Sequence, residues 1–101
     1  MSTIPQLTPT QLAVDSSGAR IVDVREPDEV ATGRIAGSLN IPLGQLASRL
    51  DELDPATTVV TVCQSGGRSQ RAAEALAGAG YRVTNLEGGM TAWTSAGQPT
   101  V

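Results

Sequence analysis

The chain has no histidine, no lysine, no phenylalanine and a single cysteine among its 101 residues. One cysteine rules out an internal disulfide and a Cys-x-x-Cys redox pair. Without histidine, zinc sites of the usual kinds and Cys–His nucleophilic pairs are excluded as well. One Trp and one Tyr leave no stacking platform for single-stranded nucleic acid. Seven arginines against ten carboxylates give a net charge of −3, with no basic stripe for nucleic acid or an anionic membrane. No apolar run approaches the length that spans a bilayer. The start, MSTIPQLTPTQL, has neither a basic opening nor an apolar signal core, so the expected location is the cytoplasm.

What is there suits one soluble globular domain over residues 1–101: 40% of residues are apolar and 17% charged. Short β-like runs alternate with helix-like ones. In LTPTQL, Thr8 is placed to cap a helix, Pro9 to open it and Gln11 to close a capping box. Leu7 and Leu12 are spaced for a hydrophobic staple, and Gly18 is the expected stop. RIVDV (20–24) reads as a buried strand, and EPDEVATG as a helix opened by Pro27 and stopped at Gly33. SLNIP is a short strand. Leu43, Leu46, Leu50 and Leu53 then mark an amphipathic helix ending near Pro55. TTVVTV (57–62) is the strongest strand, followed by a helix over SQRAAEALAGAG, a strand at RVTNL and a last short helix at GGMTAWTSAG, with Trp93 on the sheet. This alternation predicts an α/β fold with a mainly parallel sheet. Sites in such folds lie at the carboxyl ends of strands.

Cys63 stands there, in VVTVCQSGGRSQ. If residues 63–68 wrap from the strand into the next helix, Gly66 and Gly67 can take positive φ and let successive backbone N–H groups converge. A helix starting near Ser69 adds free N–H groups, and Arg68 adds a permanent charge. Such a field stabilises a thiolate without imidazole, because helix N-termini and cations lower a thiol's pKa from about 8.5 by roughly one to five units. A free cysteine also serves as a small core residue. A core residue, however, needs no two glycines, arginine and helix start behind it.

From IVDVREPDEVATGRIAGSLNIP, through VVTVCQSGGRSQRAAEAL, to GYRVTNLEGGMTAW and GQPTV, the chain resembles a single-domain rhodanese, a sulfurtransferase module. The resemblance implies a three-layer sandwich, its mainly parallel sheet of about five strands flanked by helices on both faces. It implies that Cys63 is the nucleophile, carrying sulfur as a persulfide within a cradle of residues 63–68. Gln64, Ser65, Gly66 and Gly67 would give mainly backbone N–H groups. Arg68 would steer anionic donors or brace the loop, and Ser69 would cap the following helix. Asp23 and Arg25, at a neighbouring strand end, would support the site or form a structural ion pair. No metal or organic cofactor is implied. The expected partners are a small sulfur donor (thiosulfate or a persulfide), a thiol or cyanide acceptor and a sulfur-relay protein, with no nucleic acid and no membrane.

Two departures from the family pattern stand out. Its Gly-His-Ile-Pro-Gly segment reads GRIAG, with Arg34 for the histidine and Ala36 for the proline. Arg68 is also the only charge in the active loop, so thiosulfate is expected to bind weakly. Cysteine phosphatases and arsenate reductases also hold a thiolate in an amide cradle, but with a longer spacer between Cys and Arg than Gln64 to Gly67. A non-catalytic, partner-binding module of the same fold and a partner-dependent sulfur carrier are the other readings.

Overall fold

Val59–Val62 form β4, the centre of the molecule, with all four residues buried. The computed structural model describes residues 3–15 and 18–101. Arg20–Asp23 (β2) and Val83–Leu86 (β5) flank β4; Gln6–Leu7 (β1) and Leu39–Asn40 (β3) are the edges. The sheet order is β1-β5-β4-β2-β3, and every neighbouring pair is parallel. Parallel strands need crossovers, and the helices supply them on both faces. Val59 and Val22 face one core with the helix Gly67–Gly78 (α3), through Ala72, Ala73 and Leu76. Val60, Val62 and Ile21 face the other. There they meet Leu12 of Pro9–Val14 (α1), and Met90 and Trp93 of Gly89–Ser95 (α4). The result is the expected three-layer α/β sandwich.

Most helix starts follow the local signals. Thr8 caps α1 and closes the box with Gln11, after Pro9 as the first helical residue. Leu7 packs on the cluster that contains Leu12, as a staple requires. Pro27–Val30 (α2) opens on Pro27 with a second capping box, Glu26 to Glu29. Trp93 is buried, and its indole N–H donates to the Pro99 carbonyl at 2.8 Å.

Several features differ from the sequence reading. α1 ends at Val14, before Gly18, because Leu12 is its only buried residue and Val14 is exposed. Gly18 instead makes a positive-φ turn. The leucine-rich segment Leu43–Glu52 is a 3₁₀ helix broken at Arg49 (φ −122°, ψ 20°). Leu43 and Leu46, and again Leu50 and Leu53, keep the three-residue repeat of that helix, and the extra residue falls at the break. β1 is an additional strand. Two residues long, it has only Leu7 partly buried to signal it, and it joins the sheet as the backbone N–H groups of Asn85 and Glu87 donate to the carbonyls of Pro5 and Leu7.

The GRIAG departure is compensated by backbone. Arg34 and Val101 exchange N–H···O bonds at 3.2 and 2.9 Å, pinning the segment without its histidine and proline. Among the described residues, no helix is long and apolar enough to cross a membrane.

Candidate active site

Alternation along β4 decides where the thiol points. Val59, Thr61 and Cys63 share the face that packs on α3, so Cys63 is carried past the strand end beneath the start of that helix. The residue is fully buried. Gly66 takes φ +110°, a left-handed conformation suited to glycine, and turns the chain into α3. Its N–H then donates to Cys63 Sγ at 3.0 Å. Gly67 is the first residue of α3 and has no positive φ, so one glycine makes the turn.

Because α3 starts at Gly67, two residues earlier than expected, Ser69 lies inside its first turn. It is therefore no N-cap; that position belongs to Gly66. Ser69 is fully buried, with Oγ 3.2 Å from Cys63 Sγ and 3.2 Å from the Gly66 carbonyl oxygen. Its single proton serves Sγ when the sulfur is anionic.

Burial is the largest single influence on the thiol and pushes its pKa up. The Ser69 hydroxyl pulls it down, followed by the backbone N–H groups of Ser69, Gly66 and Ser65. Together these donors prevail, and Cys63 titrates below an ordinary thiol. The anion is held by hydrogen bonds, with no imidazole in the chain.

α4 holds the first two carbonyls of the loop, those of Cys63 and Gln64. Met90 N–H donates to the Cys63 carbonyl at 2.8 Å, and Thr91 N–H to that of Gln64 at 3.0 Å. Gly89 makes this approach possible: a Cβ there would stand 2.3 Å from the Cys63 oxygen and 2.7 Å from the Gln64 oxygen. The sequence reading missed this role; the paired glycines of EGGM were its only signal.

Two arginines flank the loop, each fastened to a carboxylate. Asp23 and Arg25 form a buried pair, with Arg25 Nη2 2.8 Å and Nε 3.0 Å from the two carboxylate oxygens. Arg25 also donates to the carbonyls of Glu29 and Gly33, at 3.3 and 2.8 Å. Its Nη1 reaches Gln64 Oε1 at 3.3 Å, and Gln64 Nε2 donates to Thr91 Oγ1 at 3.1 Å. The exposed Gln64 side chain thereby ties the ion pair and α4 to the loop. Asn40 Nδ2 donates to the carbonyls of Asp23 and Arg25, both at 2.9 Å, fixing the backbone around the pair.

Arg68 makes a two-bonded fork with Glu29 of α2, at 2.6 and 2.8 Å. That geometry fits bracing, of the two roles expected for it. Glu29, absent from the sequence expectations for the site, has its carboxyl held down at about 2, chiefly by Arg68 and then by the Glu26 N–H. Thus residues 63–69 and the Asp23–Arg25 pair come together, joined by Glu29, Gly89, Met90 and Thr91. The arrangement can stabilise a sulfur anion through the Gly66 N–H and the Ser69 hydroxyl.

Comparison with known proteins agrees with this geometry. The family model of the rhodanese-like domain matches residues 8–96. A sulfurtransferase of Allochromatium vinosum is 39% identical over 93 residues, covering 91% of this chain and 87% of its own. The thiosulfate sulfurtransferase GlpE of Pseudomonas entomophila is 34% identical, covering 94% and 89%. The crystal structure of a rhodanese-related protein from Thermoplasma volcanium superposes with a TM-score of 0.92 at 32% identity, over 96% of this chain and 97% of that one. With its parallel sheet, amide-cradled cysteine and near full-length relatives, the chain belongs to the rhodanese-like domain family.

Proposed function

We propose that the protein is a rhodanese-type sulfurtransferase that carries sulfane sulfur on Cys63. The observation that carries the reading is the convergence of the Gly66 N–H and the Ser69 hydroxyl on Cys63 Sγ. The sulfurtransferases among its relatives support the reaction class. In the first step the thiolate attacks the outer sulfur of a donor. With thiosulfate, a new S–S bond forms to Cys63, the donor S–S bond breaks, and sulfite leaves with the electron pair. In the second step, cyanide or a thiol attacks the outer sulfur of the persulfide, and the Cys63 thiolate returns to the cradle as leaving group. The donors that lower the thiol pKa stabilise the anion at both ends of the cycle.

Roles follow from position. Gly66, Ser69 and the Ser65 N–H hold the anion; Gln64 and Gly67 shape the loop; Arg68 braces it; Asp23 and Arg25 support it from below. Sulfur travels as the persulfide itself, so the cycle needs neither metal nor organic cofactor. Thiosulfate or a persulfide is the donor class, and a thiol, cyanide or a sulfur-relay protein the acceptor. Only four residues separate Cys63 from Arg68. Such a short loop suits one sulfur atom better than a tetrahedral phosphate.

Intact mass spectrometry tests the reading. Incubation with thiosulfate or an organic persulfide adds one sulfur atom, cyanide removes it, and Cys63→Ser takes none. No adduct from either donor, or hydrolysis of an aryl phosphate without sulfur uptake, overturns it.

A further inference from the structure

Among the described residues, the two arginines that flank the loop, Arg25 and Arg68, are both matched. Arg25 is paired with Asp23 in a buried bond. Both terminal nitrogens of Arg68 are engaged by the two oxygens of Glu29, each partner about one-third exposed. Glu29 is itself held in place. Its Oε1 accepts the Glu26 N–H at 3.0 Å, and its backbone carbonyl accepts from Arg25. The two cations and two carboxylates cancel, so a Cys63 thiolate leaves the site one negative charge in excess. Gln64 and Ser65, which rim the loop, are exposed and uncharged.

We infer that Glu29 is a specificity-determining residue: by holding Arg68 in a two-bonded fork, it turns the site away from the thiosulfate dianion and toward protonated persulfides. This rests on the sulfur-transfer reading of Cys63 and names the donor class within it. Thiosulfate brings two negative charges to a site that already carries one, where neutral donors but no unmatched guanidinium await it. A persulfide R–S–SH brings none at its reacting end. The Cys63 thiolate attacks the outer sulfur, the Cys63–S bond forms and the R–S bond to that sulfur breaks. The electron pair leaves on R–S, which takes the proton from the outer sulfur. The products are R–SH and the Cys63 persulfide anion, so no charge is added at the cradle. With thiosulfate, a sulfite dianion must form beside an anionic persulfide.

The test compares the rates of Cys63 persulfidation by thiosulfate and by 2-hydroxyethyl persulfide, whose carrier group has no charge, at a pH below the pKa of that persulfide. In the wild-type protein, loading by thiosulfate should quicken as salt screens the like charges, whereas the persulfide rate should change little. Glu29→Gln keeps an acceptor for the Glu26 N–H but releases the charge of Arg68. It should raise the thiosulfate rate about tenfold at low salt, mainly through KM, and abolish the salt effect, with the persulfide rate within about threefold. Glu52→Gln removes the same charge from the surface pair Arg49–Glu52 and should leave the donor ratio unchanged. A wild-type thiosulfate rate that falls with salt, or an unaltered donor ratio in Glu29→Gln, overturns the inference while the sulfur-transfer reading stands. Failure of both donors to load wild-type Cys63 removes both. The wild-type salt dependence decides the matter even where the variant does not fold.

Discussion

The Met90 N–H donates to the carbonyl oxygen of Cys63 at 2.8 Å, so the first turn of α4 fixes the peptide that follows the thiol. That bond turns the carbonyl outward and leaves the next N–H groups facing Sγ. It exists only because residue 89 has no side chain.

Gly89→Ala would place a Cβ 2.3 Å from the Cys63 oxygen, at a residue whose φ is +58°. The added Cβ meets backbone atoms there, so no rotamer change relieves the clash. The variant should lose about 1–3 kcal/mol in urea denaturation. Its Cys63 alkylation profile should also move to higher pH, because the displaced carbonyl draws the loop amides off the sulfur. A less stable protein with an unmoved thiol titration would confine Gly89 to packing.

Ser69→Ala removes the hydroxyl that opposes burial most strongly at the thiol. The sign is fixed: with one donor fewer, the anion is less favoured and the pKa rises. Alkylation of Cys63 at neutral pH should slow about tenfold, the scale of one hydrogen bond to a charged group. The fold should tolerate the change, since Gly66, and not Ser69, caps α3. An unchanged alkylation rate would show that the serine proton stays on the Gly66 carbonyl.

The Asp23–Arg25 pair is buried to within 1% on both side chains. Asp23→Ala would leave a guanidinium in the interior with carbonyls but no carboxylate, which costs about 3–5 kcal/mol. Replacing both, with Arg25→Leu added, should recover part of that loss because no buried charge is left unmatched. Urea midpoints of the two variants check this. Equal losses would mean that the bonds from Arg25 to Glu29, Gly33 and Gln64, and not the ion pair, hold the segment.

Features written within a few residues were legible in the sequence. The Thr8–Gln11 box, the Pro27 helix start and the strand read at 57–62, found at Val59–Val62 just before Cys63, all follow from neighbours in the chain. Features set by packing were not. The leucines 43, 46, 50 and 53 satisfy a 3₁₀ helix with one break as well as an α-helix, and spacing alone does not separate the two. The role of Ser69 turned on α3 starting at Gly67, a shift small enough to exchange a cap for a thiol donor. Glu29 and Arg68 are 39 residues apart, and only the sheet order brings α2 beside the loop. Gly89 reads as a helix start until the Cys63 carbonyl is found against it.

The fork between Glu29 and Arg68 also predicts how the loop responds to acid. Hydrogen bonds from Arg68 and the Glu26 N–H hold the Glu29 carboxyl at about 2, below its ordinary value of 4.5. A carboxyl depressed in the folded state contributes stability that is complete above the unfolded value and shrinks as pH falls through the folded one. The stability difference between wild type and Glu29→Gln should therefore be constant from pH 7 to about 5, decline below 4.5, and vanish near 2. Its size should be modest, since both partners are about one-third exposed and water screens them. Other carboxylates titrate in the same range, but they are common to both proteins and cancel in the difference. Urea midpoints of the pair at about pH 7, 5, 4, 3 and 2 would trace the curve. A difference independent of pH would mean that the substitution costs packing and not an ion pair, and that Arg68 is not held by charge.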